Sequence, residues 1–245
     1  MSSQVKESDQ LRQPEKIYDP DPRHSHFVKL DFKTGQRRNR VIDDQHEAIS
    51  CFTLNEYVPV DIATHFETAK NLYLYAWFVY RFYSVAEQQA FASLEFALRE
   101  RFPDFVGEEK KKHKRGFEPG LKQLMGYAIN EGFVKNEGFS TREYWARMRA
   151  VSRYKHQKSE EMRNAGVESW VIDESEAVVT QEDLDYDWLG DIQKIIPKIR
   201  NLYAHGSWHL YPAPVRHTFE IVSEIINQLY PKAEAVGDVT RSRVP

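Results

Sequence analysis

From Pro59 onward the apolar residues recur every three or four positions, and this spacing constrains the fold more than any other property of the chain. A stripe of that period lies on one face of an α-helix and has to be buried against a neighbour. Phe66, Ala69, Tyr73, Leu74, Trp77, Val79 and Tyr80 predict a helix from about Asp61 to Tyr83. Ser84-Val85-Ala86-Glu87 has the form of a capping box and predicts the start of a second, which carries Phe91, Leu94, Phe96 and Leu98 and stops near Pro103. A third carries Leu121, Leu124, Met125 and Ile129, with Pro119 near its first turn and Gly132 as its C-terminal cap. Ser140-Thr141-Arg142-Glu143 opens a fourth that runs to about Asn164, with Gly166 past its end. Thr180-Gln181-Glu182-Asp183 caps a fifth, whose stripe is Leu184, Trp188, Ile192, Ile195, Ile199 and Leu202, with a kink expected at Pro197. The last begins at Pro212 or Pro214 and carries Val215, Phe219, Val222, Ile226 and Leu229; the tail after Pro231 reads as disordered.

The first part of the chain differs. Residues 1–24 hold Pro14, Pro20 and Pro22 among polar groups and read as a leader, flexible or pinned to the surface. Val28, Leu30 and Phe32 alternate, a Lys33-Thr34-Gly35-Gln36 turn follows, and a second short run ends at Val41-Ile42, which predicts a β-hairpin. Ala48 to Leu54 is expected as a third strand. Arg37, Arg38 and Arg40 near the turn suit either a solvated edge that discourages strand pairing or a phosphate contact.

The expected architecture is therefore mainly α with a small N-terminal β-hairpin extension. Residues 1–58 form the leader and hairpin, 59–235 the helical domain, and 236–245 a flexible tail. A length of 245 residues suits one sizeable domain with an extension, and 41% hydrophobic content argues for a packed core. Cys51 is the only cysteine, which leaves no disulfide framework or multi-thiolate metal site and fits a reducing, cytoplasmic setting. The polar start lacks the apolar segment of a secretory signal. The most apolar run, Leu72 to Tyr80, falls short of the ~20 residues of a spanning helix, so no membrane partner is expected.

A net charge of −3 conceals strong segregation. The run Glu108 to Arg115 is expected in a loop, as a solvated face or a nucleic-acid contact. The helix at about 140–165 has a narrow apolar stripe and carries Arg142, Arg147, Arg149, Arg153, Lys155, Lys158 and Arg163, with Tyr154 and His156 among them. It is either a protruding helix with a wet face or an RNA-binding arm in which cations follow phosphates and tyrosine offers a stacking surface. Residues 168–187 reverse the sign; the acidic loop, centred on 168–183, either screens the basic helix or keeps the protein soluble. Glu95, set between apolar residues, is either an ion-pair member or exposed between two core stripes.

At the end of the fifth helix stands Lys198-Ile199-Arg200-Asn201-Leu202-Tyr203-Ala204-His205-Gly206. Spacing alone does not distinguish it, because Arg40 with His46 and Arg149 with His156 are comparable pairs. Context does: the preceding helix is strongly amphipathic, whereas Arg40 and His46 fall in a strand-to-loop region and Arg149 and His156 on a helix with little sign of enclosure. Asn201 and His205, four residues apart, share a helix face; Arg200 lies about 140° from His205 on an ideal helix and reaches in from the side. The plain alternative is a helix end where Arg and His complement the dipole.

Arg200-Asn201-Leu202-Tyr203-Ala204-His205 resembles the signature of the HEPN family, an arginine, commonly followed by a polar residue, with four to six positions before a histidine. The setting is similar over residues 59–231: a helical body, the motif at the end of a late amphipathic helix, and one more apolar helix after it. The resemblance implies an antiparallel HEPN-like helical bundle and a metal-independent endoribonuclease with no cofactor, in which two protomers pair so that both motifs line one cleft. It also implies a toxin or antiviral defence effector that acts on single-stranded RNA. Catalysis then falls to Arg200 and His205 with Asn201 assisting. An imidazole can handle the 2′-hydroxyl proton or the leaving 5′-oxygen, and a guanidinium fork can take the charge that builds on the phosphate. Arg147, Arg149, Arg153, Lys155 and His156 are the expected RNA contacts. Some toxins of the family carry a tyrosine two positions after the histidine, where an antitoxin modifies it; Ser207 stands there in this chain, so an antitoxin partner is not implied. The alternative is a non-catalytic HEPN-like module that binds RNA, a nucleotide or a protein.

Overall fold

The computed structural model describes residues 5–31, 33–113, 116–204 and 211–232, and for 201–204 it describes the backbone alone. The fold is mainly helical with one small antiparallel sheet. Strands β1 (Val28–Leu30) and β2 (Arg37–Asn39) form the expected hairpin, paired from Val28 with Asn39 to Leu30 with Arg37. Gly35, at φ +70°, makes the turn.

The third strand is not formed. Its first half belongs to helix α1 (Ile42–Ser50), because Asp44 folds back to accept the Val41 N–H and so caps the helix start. Buried Gln45 fastens α1 to the body by donating to the Tyr73 carbonyl at 2.8 Å and to the Tyr83 hydroxyl at 2.6 Å. His46 therefore sits on a helix, where a strand-to-loop segment was expected.

Two long helices form the centre, α2 (Val60–Tyr75) and α3 (Phe82–Arg101). They are antiparallel, with Tyr73 against Tyr83 at one end and His65 against Phe96 toward the other. The apolar period predicts one helix to Tyr83, but the chain turns after Tyr75 because the leader supplies partners for the turn. The Asp21 N–H donates to the Trp77 carbonyl at 2.9 Å, its carboxylate accepts the Tyr80 N–H, and His24 Nε2 lies 3.1 Å from the Ala76 carbonyl. Arg12 donates to the Phe78 carbonyl. Backbone groups freed by the break are thus satisfied, and the leader is the surface-pinned form of the two expected. Ser84 is the third residue of α3 instead of its cap, and it donates to the Arg81 carbonyl.

Helix α4 (Pro103–Lys112) follows, with Pro103 at its first position, where a missing N–H costs nothing. The charged run 108–112 is thus helical, contrary to the loop expectation. Lys112 bonds Glu109 at 3.0 Å, the three-residue spacing that a helix brings together. Helix α5 (Leu121–Asn130) ends at Gly132, φ +73°, and α6 (Arg142–Asn164) at Gly166, φ +65°. A short α7 (Gln181–Leu184) takes the Thr180/Asp183 capping box; the long helix starts afresh as α8 (Trp188–Ala204) and runs through Pro197. Helix α9 (Pro212–Leu229) buries all five predicted residues of its stripe.

The core gathers on α3. Phe91, Leu94 and Leu98 are fully buried with Phe66 and Tyr73 of α2, Leu124 and Met125 of α5, and Phe219, Ile225 and Ile226 of α9. Small residues Ala86, Ala90, Ser93 and Ala97 let neighbours approach α3 on more than one side. Buried Glu87 accepts from Thr218 at 2.6 Å, which ties α3 to α9 by a hydrogen bond inside the core. Among the described residues no helix is long and apolar enough to cross a membrane.

Candidate functional site

The start of α8 is fixed by two side chains. Asp187 accepts the Gly190 N–H at 2.9 Å, and Asn136, from the loop before α6, accepts the Leu189 N–H at 3.0 Å. Both satisfy donors that a helix N-terminus leaves open. Leu189, Ile192 and Ile196 are buried and Trp188 and Ile199 pack at the margin. Ile195, expected on this face, is half exposed, because the buried stripe is turned by one residue from the predicted one. Gly126 of α5 makes room here: a Cβ there would stand 2.8 Å from the Gln193 amide.

This packing carries Arg200 to the flank of α3. Its Nη2 lies 3.2 Å from Glu95 Oε2, while the other oxygen of that carboxylate takes Arg99 at 2.8 Å. Glu95 is thus the ion-pair member that its place between core residues allowed, and its side chain is 16% exposed against 48% for Arg200. Arg99 continues the network to Glu118 at 3.2 Å and the Pro119 carbonyl at 2.7 Å, and Lys110 closes on Glu118 at 2.7 Å. Among the described residues the carboxylate of Glu95 holds one nitrogen of Arg200, and the rest of its fork is half exposed. Asn201 stands on the backbone of α8; its side chain, and His205 with the rest of 205–210, lie outside the described residues.

Comparison with family models, curated proteins and solved structures finds no match.

The expected RNA contacts lie elsewhere, on α6, and most meet the chain's own acidic segment. Arg153 grips Asp183 with both nitrogens, one of them at 2.8 Å, and Asp183 is wholly buried. Two hydrogen bonds from Thr180 complete its shell, and the Arg153 guanidinium holds its carboxyl well below the usual aspartate range. Lys155 meets Glu174 at 2.6 Å, Tyr154 donates to Glu176, and Arg147 donates to the Glu174 and Ala177 carbonyls. Arg149 lies 3.7 Å over the Tyr186 ring, a cation–π contact, and Tyr186 in turn meets Trp188 edge-on. His156 points away, 77% exposed, with Glu160 at 3.5 Å. Of the two expected roles of the acidic loop, the contacts match screening of the basic helix.

The described residues do not bring α6 and Arg200 into one site. Nor do they contain a group of three His, Cys, Asp or Glu side chains placed to hold a metal ion. Sequence reasoning had flagged Glu95 without its partner. It gave no sign that Arg40, Tyr73 and Arg216 share a cleft, since those residues belong to three elements far apart in the chain.

Proposed function

We propose that the chain is a HEPN-type, metal-independent endoribonuclease that cleaves single-stranded RNA, with Arg200 and His205 catalytic and Asn201 assisting. The observation that supports the reading is the mounting of Arg200. A packed helix delivers it to a partly shielded carboxylate that holds one edge of the guanidinium, which leaves the fork fixed and half exposed, as a group that meets a phosphate needs to be. Arg200 would take the charge that develops on the scissile phosphate, and His205 would move the proton of the 2′-hydroxyl or of the leaving 5′-oxygen. A homodimer that joins two motifs across one cleft belongs to the same proposal, as does a role as toxin or defence effector. The test is incubation of the purified chain with single-stranded RNA in EDTA; the reading requires cleavage and a 2′,3′-cyclic phosphate on the upstream fragment.

A second reading is favoured by the same contact. If the Glu95–Arg200 pair is purely a structural clamp between α3 and α8, the chain is a non-catalytic HEPN-like module that binds RNA, a nucleotide or a protein. That reading requires binding without turnover in the same assay.

A further inference from the structure

A cleft of about 840 Å³ opens between the hairpin, α1 and the first turn of α9, away from the Arg200–Glu95 pair. Its size falls in the range of small-molecule sites, roughly 300–1,000 Å³. One part of the wall is apolar and aromatic, with Phe27 and the exposed Tyr211 ring 6.3 Å apart and Pro212 beside them.

The charges of the wall decide what the cleft suits. Its two carboxylates are already satisfied: Lys29 bonds Asp44 at 2.9 Å and Glu47 at 2.8 Å, and Arg38 forks onto Asp44 with two contacts of 2.6 Å. Two arginines remain. Among the described residues the Arg40 side chain bonds the neutral Gln45 amide oxygen, at 3.2 Å, and lies near the Tyr73 hydroxyl. Arg216 has no hydrogen bond or ion pair among the described residues. Both are near enough to Tyr73 to counter, in part, the upward push that burial gives its hydroxyl. Two guanidinium groups from distant parts of the chain, neither paired with a carboxylate among the described residues, thus line one cleft, where an anion can join them. The planar fork of arginine matches phosphate oxygens in pairs.

We propose that this cleft binds a small molecule bearing a phosphate group on an apolar, ring-containing body, with Arg40 and Arg216 on the phosphate and Phe27 and Tyr211 against the ring. Neither Arg200 nor Glu95 lines this cleft, and the proposal does not rest on the nuclease reading.

Titration calorimetry of the full chain at low ionic strength tests it, with phenyl phosphate, inorganic phosphate and a single-stranded RNA decamer as probes. Phenyl phosphate is expected to bind once per chain, at least tenfold tighter than inorganic phosphate. Arg216→Gln, which breaks no described contact, is expected to weaken it at least tenfold without loss of thermal stability. Absence of phenyl phosphate binding at millimolar concentration overturns the proposal, as does binding that Arg216→Gln leaves unchanged. Equal affinity for inorganic phosphate overturns the ring-bearing class. A decamer that binds tighter than phenyl phosphate and depends on Arg216 makes the cleft a nucleic-acid surface instead.

Discussion

Arg200 Nη2 stands 3.2 Å from Glu95 Oε2, so the arginine of the motif is tied to the central helix by a carboxylate that also holds Arg99. A cation used on a phosphate has to be both oriented and available, and a partly exposed pair provides both. On the catalytic reading, Glu95 is a positioning residue.

Glu95→Gln tests that role. The amide keeps the shape but loses the charge that aims the guanidinium, so turnover should fall about tenfold, equivalent to ~1.4 kcal/mol of transition-state stabilisation. The fall should appear in kcat more than in KM. A fall confined to thermal stability, with kcat intact, would make the pair a clamp only.

The acidic segment yields a second prediction. Glu174 and Glu176 occupy Lys155 and Tyr154 of the basic helix. Exposed contacts of this kind contribute up to about 1 kcal/mol each, so Glu174→Gln with Glu176→Gln should raise affinity for single-stranded RNA roughly two- to tenfold at low salt. Fluorescence anisotropy across a salt series reads it; unchanged affinity would mean that the segment screens nothing.

Acid should lower stability over two pH windows. Burial holds His24 below the ordinary value of 6.5, so the unfolded chain takes up this proton first. Its contribution is complete above about pH 6.5 and is lost as pH falls toward the folded pKa. Asp183 and Asp44 are held below 3.8 by Arg153 and Arg38, so their contribution is present above that value and is lost at lower pH. His24→Gln should flatten the denaturant midpoint between pH 7 and 5 while leaving the loss below pH 4. An unchanged slope between pH 7 and 5 would show that His24 is not its source.

Asp183 should matter for stability beyond its pH effect. Asp183→Ala leaves Arg153 without its carboxylate and removes the α7 cap, which should cost about 1–3 kcal/mol by urea denaturation. A cost near zero would show that α6 and its acidic segment are not coupled.

Much of the helical body is legible in the sequence: α5 and α9 follow from three- and four-residue spacing, and α5 and α6 stop at the glycines expected to end them, although Ser140, read as part of a cap for α6, bonds Glu224 of α9 instead. Several of the errors trace to a partner distant in sequence. α2 breaks at Tyr75 because Asp21 and His24 arrive from the leader, and residues 42–50 are helical because Gln45 finds Tyr73 and Tyr83. Thr180 and Asp183 form a genuine capping box, but Asp187 and Asn136 start α8, so the buried stripe is Leu189, Ile192 and Ile196 in place of the one through Ile195. At the candidate site, Glu95 was conspicuous as a charge among core residues, yet its pairing with Arg200 depends on how α8 crosses α3. No spacing within either helix encodes that crossing.

The central claim is tested most directly by measuring single-stranded RNA cleavage in EDTA by Arg200→Ala and His205→Ala beside the parent chain, with circular dichroism to confirm folding. The account predicts that each substitution lowers kcat at least 100-fold, ~2.7 kcal/mol, in a chain that stays folded. Unchanged cleavage in both variants would contradict it.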